Sequence, residues 1–248
     1  MQHFGIIGNP LRQSFSAKYF SEKFAKEQID AEYSLYPLEN IEQFPTLIKT
    51  HDFRGLNVTI PYKQAVMPYL DRLDDTAKSV GAVNVILFEG GKLIGYNTDT
   101  LGFAEDIKPL IRPEHSQALI LGTGGAAKAV KYALSRLNIA VHTVSRSAGY
   151  DFTYSDLGKE VIESHLLIVN CTPLGMYPDT EACADIPYQF ITEKHLCYDV
   201  IYNPSPTLFL KRAAAQGAEI QSGLGMLHGQ ANEAWKIWSG VTSSASVQ

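Results

Sequence analysis

Only three cysteines occur in the 248 residues, Cys171, Cys183 and Cys197, and no two are spaced as C-x-x-C. An odd set without metal-type spacing argues against a disulfide scaffold and a thiol-ligated metal, and no metal is expected. Cys171 and Cys197 lie in apolar runs that read as buried strands, which suits small core residues in a reducing compartment. Basic charge is also scarce: 21 Lys and Arg face 26 Asp and Glu, giving −5 with no basic tract. Affinity for a phosphate backbone comes from clustered Lys and Arg, so no nucleic-acid partner is expected. No run approaches the roughly 20 apolar residues of a membrane span. The opening MQHFGIIGNP lacks a basic segment followed by a long apolar one, so no signal peptide is read and a cytoplasmic, soluble protein is expected. Internal repeats and low-complexity segments are missing too. What remains is an apolar share of 45%, ordinary for a globular protein, in a length that allows one large domain or two modest ones.

The first half mixes periods. His3–Ile7 is a short apolar strand ended by the Gly8-Asn9-Pro10 turn. A helix is expected from Ser16, its N-cap, with Ala17, Phe20 and Phe24 on one face. Glu32–Tyr36 alternates like a half-buried strand, and Leu56–Ile60 is a strand stopped by Pro61. A helix with Val66, Leu70 and Leu73 inward follows. Val83–Phe88 and Lys92–Tyr96 flank Glu89-Gly90-Gly91, a hairpin signal. In the second half, Ala118–Leu121, Ile139–Val144, Leu166–Val169 and Leu196–Ile201 are almost continuously apolar and separated by helix-length segments. Strands buried on both faces and alternating with helices imply a parallel sheet. Leu227, Ala231, Ala234, Trp235 and Trp238 then fall at helical spacing, and the serine-rich tail 241–248 is expected to be disordered.

Gly122-Thr123-Gly124-Gly125-Ala126-Ala127 follows the strand Ala118–Leu121 directly and opens a helix with Ala127, Val130, Leu134 and Leu137 apolar. The spacing is G-x-G-x-x-A. Gly122 allows the tight turn, Gly124 lets backbone approach a pyrophosphate, and Ala127 lets helix and strand pack closely. Free N–H groups of Gly125 and Ala126 at the helix start would hold the phosphates. The second strand ends at Val144, about 20 residues after the first glycine, where an NAD site places Asp or Glu. Ser145-Arg146-Ser147 stands there instead. An arginine pairs with a 2′-phosphate and stacks on adenine, so NADP(H) is the expected cofactor. A solvated surface arginine is the other reading of Arg146.

Lys63 lies just past a strand end in Gly55–Lys63, Asn84 ends Gly81-Ala82-Val83-Asn84, and Asp99 ends Gly95–Asp99. Reducing a ketone by hydride needs a donor to protonate the nascent alkoxide, and oxidising the alcohol needs the same group as base. Lys63 with Asp99 as its orienting partner could supply it. On the residues alone, a surface lysine is the commoner reading of Lys63, and a turn-capping carboxylate that of Asp99. Ser14 and Ser16 at a helix start could bind a carboxylate or simply cap the helix.

The segments Gly55–Lys63, Gly81–Asn84, Gly95–Asp99 with Gly102-Phe103, Asn170–Met176 and Gly223–Gln230 resemble the signature blocks of the shikimate dehydrogenase family, in family order and across most of the chain. The resemblance implies an α/β fold: a Rossmann-type parallel-sheet cofactor domain and a mixed α/β substrate domain, with a cleft between them. The substrate domain would comprise residues 1–101 completed by the helix 226–240, and the cofactor domain residues 102–225. It implies Lys63 and Asp99 as the catalytic pair at that cleft. Substrate contacts carried over by position fall on Ser14, Ser16, Thr59, Asn84, Tyr202 and Gln230. Thr172, Val200, Gly223 and Met226 would lie near the cofactor's ribose or nicotinamide. The sequence departs from the family at Ala17, where a proline is frequent, and after Arg146, where a second basic residue is common. The implied reaction is reduction of 3-dehydroshikimate to shikimate by NADPH, in a protein with a small-molecule substrate and acting as monomer or homodimer. A quinate/shikimate dehydrogenase with relaxed NAD/NADP use stays open, as does a non-catalytic NADP-binding sensor, though the sensor predicts loss of Lys63 or Asp99.

Overall fold

The computed structural model describes residues 1–11 and 14–240, and the chain divides into two compact units. One holds Met1–Thr98 and the described residues from Gln230 onward, the other Asp99–Gly229. The tail 241–248, expected to be disordered, lies outside the described residues.

In the first unit the order is β1 (Gln2–Gly8), α1 (Phe15–Glu27), β2 (Ala31–Pro37), α2 (Phe44–Leu47), β3 (Phe53–Val58), α3 (Tyr62–Ala65), β4 (Arg72–Leu73), α4 (Asp75–Val80), β5 (Val85–Glu89) and β6 (Lys92–Tyr96). They form one sheet in the order β2-β1-β3-β5-β6-β4. β1 runs parallel to β2 and β3, whereas β5 runs antiparallel to its neighbours β3 and β6, so the sheet is mixed. The β5–β6 hairpin closes on Gly90 and Gly91, at φ +58° and +72°. A tight hairpin turn of this hand needs positive φ at both central residues, which glycine adopts without strain.

Three expectations are corrected here. Ser14, not Ser16, caps α1: its Oγ accepts from the Ala17 N–H at 3.4 Å, and Ser16 is a buried first-turn residue. β3 begins at Phe53 and ends at Val58, before Ile60. The helix expected through Val66, Leu70 and Leu73 breaks up. Pro68 has no N–H, and its ring would collide with the carbonyl four residues back. α3 therefore stops at Ala65, a 3-10 turn covers Met67–Tyr69, and Leu73 joins β4.

The second unit contains α5 (Asp99–Ile107), β7 (Gln117–Leu121), α6 (Gly125–Arg136), β8 (Ala140–Ser145), β9 (Phe152–Thr153), α7 (Lys159–Ser164), β10 (Leu167–Asn170), β11 (Leu196–Asp199), α8 (Leu208–Ala214), β12 (Glu219–Ser222) and the start of α9 (Leu224–Ser239). Its sheet is wholly parallel, in the order β12-β11-β10-β7-β8-β9. Alternate residues feed opposite faces. Ala118, Ile120 and Val169 pack with Val130 and Leu134 of α6, while Leu119, Leu121 and Ile168 pack with Phe209 and Leu210 of α8. That double burial is why the strands read as unbroken apolar runs. The chain leaves β7 towards β8 on one side and returns at β10 on the other, so the C-terminal ends of β7 and β10 form the switch point where such sheets bind ligands. Cys197 is buried in β11, whereas Cys171 sits one residue past β10 and is only partly buried.

The later part of α9 completes the first unit. Ala231, Ala234 and Trp238 pack with Phe4, Phe20, Phe24 and Tyr33. The Trp238 ring lies 5.0 Å from Phe4 and 5.1 Å from Phe20, and its indole N–H donates to the Ile86 carbonyl at 3.0 Å. Residue 55 must be glycine, because a Cβ there would come within 2.2 Å of the Trp238 Nε1. Among the described residues no helix is long and apolar enough to cross a membrane.

Candidate active site

In the second unit the glycine turn leaves β7 at Gly122, whose φ is +106°. A Cβ on Gly122 would stand 3.1 Å from the Thr172 Cγ2 and 3.3 Å from the Cys171 carbonyl. Glycine is thus demanded there by the protein's own packing. Gly124, the N-cap of α6, is different: it is extended, with φ −74° and ψ −174°, and a Cβ on it would meet nothing within 4 Å. Its missing side chain leaves open space in front of the helix. No side chain caps α6, and first-turn N–H groups such as those of Gly125 and Ala126 have no intrahelical acceptor. Ala127 is buried against the sheet. An open approach, unspent donors and a favourable helix dipole fit the pyrophosphate of a dinucleotide.

Around this turn, Ser145 ends β8 and is buried, its Oγ accepting from the Ser147 N–H at 3.1 Å, while Arg146 and Ser147 are exposed. Burial raises the pKa of the neighbouring Tyr154 phenol, and the Arg146 cation partly offsets that rise. Thr172 follows β10, and both its N–H (3.1 Å) and its hydroxyl (2.7 Å) donate to the Asn170 Oδ1. Gly223 does make a close backbone approach, but to the chain itself: a Cβ would fall 2.3 Å from the Val200 carbonyl oxygen. Met226 is buried beside Phe103 and Tyr198, and Val200 packs at the edge of the same core. Tyr202 is exposed. Asp99 is the first residue of α5 and only 5% exposed, a position where the helix dipole favours a carboxylate.

In the first unit the structure joins residues far apart in sequence. The Asn84 Nδ2 donates to the Thr98 Oγ1 at 2.9 Å and to the Gln230 Oε1 at 3.4 Å, and the Asn84 Oδ1 accepts from the Thr98 N–H at 2.7 Å. The Thr98 hydroxyl donates to the Gln230 carbonyl at 3.0 Å. A second chain of bonds reaches the same place from Tyr33, which lies beside Ser16 of α1. The Tyr33 phenol, its pKa pushed well up by burial, donates to the Asn57 Oδ1 at 2.6 Å, and the Asn57 Nδ2 donates to the Asn84 carbonyl at 3.3 Å. Buried carboxamides held this way present fixed donors and acceptors at low reorganisation cost. Thr59 ties the end of β3, its N–H donating to the Ile7 carbonyl at 2.9 Å and its carbonyl accepting from the Tyr62 N–H. Lys63 is partly buried on α3, its own carbonyl accepting from the Val83 N–H at 2.7 Å. Ser14 is occupied in capping α1, although a hydroxyl that accepts can still donate its proton elsewhere.

Sequence reading did not single out Thr98 or Asn57. A lone polar residue in an apolar strand, as Asn57 is in Leu56-Asn57-Val58, is the signal that would have pointed to it.

A model of the shikimate dehydrogenase substrate binding domain matches residues 6–86. The chain is 36% identical to the shikimate dehydrogenase (NADP(+)) of Desulforamulus reducens, over 98% of this chain and 91% of that protein. Among solved structures it is similar to shikimate dehydrogenase from Aquifex aeolicus, with a TM-score of 0.87 and 35% identity over 97% of this chain and 93% of the other. It is also similar to shikimate 5-dehydrogenase from Thermus thermophilus in complex with NADP(H) and shikimate, with a TM-score of 0.86 and 31% identity over 97% and 94%.

Proposed function

The chain belongs to the shikimate dehydrogenase family, and we propose that its own residues carry out the reversible reduction of 3-dehydroshikimate to shikimate with NADPH, in chorismate and aromatic amino acid biosynthesis. NADPH, when bound, supplies the hydride that reaches the ring carbonyl carbon. The first-turn N–H groups of Gly125, Ala126 and Ala127 hold its pyrophosphate, with Gly122 and Gly124 clearing the way, and Arg146 between Ser145 and Ser147 pairs with the 2′-phosphate. Thr172, Val200, Gly223 and Met226 border the ribose and nicotinamide.

On the substrate side, the Lys63 ammonium gives its proton to the carbonyl oxygen as that oxygen becomes a hydroxyl, and in the reverse direction the neutral amine takes the proton back. Asp99 orients that ammonium and accepts from a ring hydroxyl. Ser14 and Ser16 donate to the ring carboxylate, where the start of α1 favours negative charge. Asn84 and Gln230 bond ring hydroxyls, and Thr59 and Tyr202 complete the contacts. The observation that carries this reading is the pair of buried carboxamides, Asn84 and Gln230, 146 positions apart in sequence and 3.4 Å apart in space.

We place the protein in the cytoplasm, working as a monomer or homodimer on a small molecule without nucleic acid or membrane. Its three free cysteines suit a reducing compartment. The test is a four-way assay of shikimate or quinate with NADP+ or NAD+, followed by nicotinamide absorbance. Shikimate with NADP+ is expected to turn over fastest. Comparable rates with quinate would favour the quinate/shikimate enzyme, and a folded protein inert with every pair would leave only the non-catalytic sensor.

A further inference from the structure

At the C-terminal ends of β10 and β11, Asn170 stands beside Asp199 in the strand register, and both are fully buried. The Asn170 Nδ2 donates to the Asp199 Oδ1 at 3.1 Å. That oxygen also accepts from the Ile201 N–H at 3.0 Å, while Oδ2 accepts from the Thr207 hydroxyl at 2.6 Å. Every partner given to this carboxylate is a donor. Burial pushes its pKa up to about 6 against the opposing pull of these bonds, so near neutral pH it is still an acceptor-only group.

An asparagine carboxamide has two similar ends, and only its partners decide which way it faces. A carboxylate on one side forces the Asn170 NH2 towards itself and leaves Oδ1 facing the loop. There Oδ1 accepts both the N–H and the hydroxyl of Thr172, and the Thr172 Oγ1 accepts from the Leu174 N–H at 3.3 Å. The Thr172 methyl is the atom against which Gly122 is packed.

We propose that Asp199 is a positioning residue for the dinucleotide turn: its carboxylate sets the Asn170 carboxamide, and Asn170 in turn holds Thr172 against Gly122. The inference rests on the reading that the Gly122 turn and Thr172 hold NADPH. With an amide in place of the carboxylate, residue 199 no longer offers an acceptor at both ends: if its NH2 faces Asn170, the Asn170 NH2 is turned against the Thr172 donors. The Thr172 loop then has no single resting place.

The test compares NADPH binding, by fluorescence titration, with thermal stability in three variants. Asp199→Asn is expected to weaken NADPH binding about tenfold, as when a buried donor loses its acceptor, with the KM for shikimate unchanged. The double variant Asn170→Asp with Asp199→Asn puts an acceptor-only group in front of Thr172 whichever way it turns. It is expected to bind NADPH within about threefold of the parent even if it melts lower, a rescue that a merely structural role would not give. Gly124→Val branches from a Cβ position with nothing within 4 Å and fills the open space before α6, so it tests the underlying reading and is expected to abolish binding with the fold retained. Parent-like affinity in Asp199→Asn, or affinity in the double variant no better than in the single, would overturn the proposal. If Asp199→Asn does not fold, the double variant alone decides. Parent-like affinity in Gly124→Val would instead overturn the assignment of the turn.

Discussion

Asn84 grips Thr98 from both ends of its carboxamide, taking the Thr98 N–H on Oδ1 at 2.7 Å and giving Nδ2 to the Thr98 hydroxyl at 2.9 Å. Both residues are buried. Asn84→Ala strands the Thr98 N–H away from water, a loss of about 1–3 kcal/mol. It also frees the Gln230 side chain from its bond to Asn84. Urea unfolding should show that loss, and the KM for shikimate should rise alongside it. A variant as stable as the parent would mean that water or another group satisfies Thr98.

Lys63→Ala removes the proposed proton donor from a partly buried position. The kcat is expected to fall by about 10²–10⁴, the range for general acid–base groups, with little change in shikimate affinity. Steady-state kinetics separate the two effects, and turnover equal to the parent's would remove Lys63 from the mechanism.

The two glycines of the turn should fail in different ways. Gly122→Ala places a side chain at φ +106° and 3.1 Å from Thr172. It is expected to destabilise the fold by about 1–3 kcal/mol and to weaken NADPH binding as a result. Gly124→Ala meets no protein atom, so stability should stay within about 0.5 kcal/mol while NADPH binding weakens. Calorimetry with NADPH titration distinguishes the pair, and equal melting temperatures would contradict the difference in packing.

Acid should loosen the second unit through its histidines. His165 is 4% exposed, its Nε2 lies 2.8 Å from the His142 Nδ1, and its Nδ1 lies 2.7 Å from the Val161 carbonyl. The neutral ring with its proton on Nδ1 suits both contacts. Burial, and to a lesser degree His142, holds its pKa below the ordinary imidazole value, with the Val161 carbonyl opposing. A folded pKa below the unfolded one means that its stabilisation is whole above about pH 6.5 and is lost as pH falls through the folded value. His115 and His195 shift in the same direction, also chiefly by burial. Between about pH 7.5 and pH 5 the parent should therefore lose more unfolding free energy than His165→Asn does. Identical losses in urea titrations would show that His165 takes no part.

The sequence made the second unit's central strands plain because Leu119, Ile120, Leu121, Ile168 and Val169 are buried on both faces and leave no polar gap. β9 and β12 escaped notice because edge strands are half-exposed; Glu219–Ser222 has no apolar run to find. The helix after Pro61 was misread because its apolar spacing is real while Pro68 forbids the backbone that would use it. At the site, the motif already separated the turn at Gly122 from the open approach at Gly124, but the packing of Gly122 against Thr172 joins loops 50 residues apart and shows only in three dimensions. Asn170 and Asp199 were invisible as a pair because strand register, not spacing, sets them side by side.

The place of Trp238 in the first unit has a consequence for biosynthesis. The ribosome adds Phe4 and Phe20 first and then every residue of Asp99–Gly229, and only afterwards delivers the indole that packs on those two rings. The inserted unit therefore has all its strands in hand while the earlier one still lacks part of its interior. The N-terminal aromatic cluster thus cannot be completed until α9 has been made.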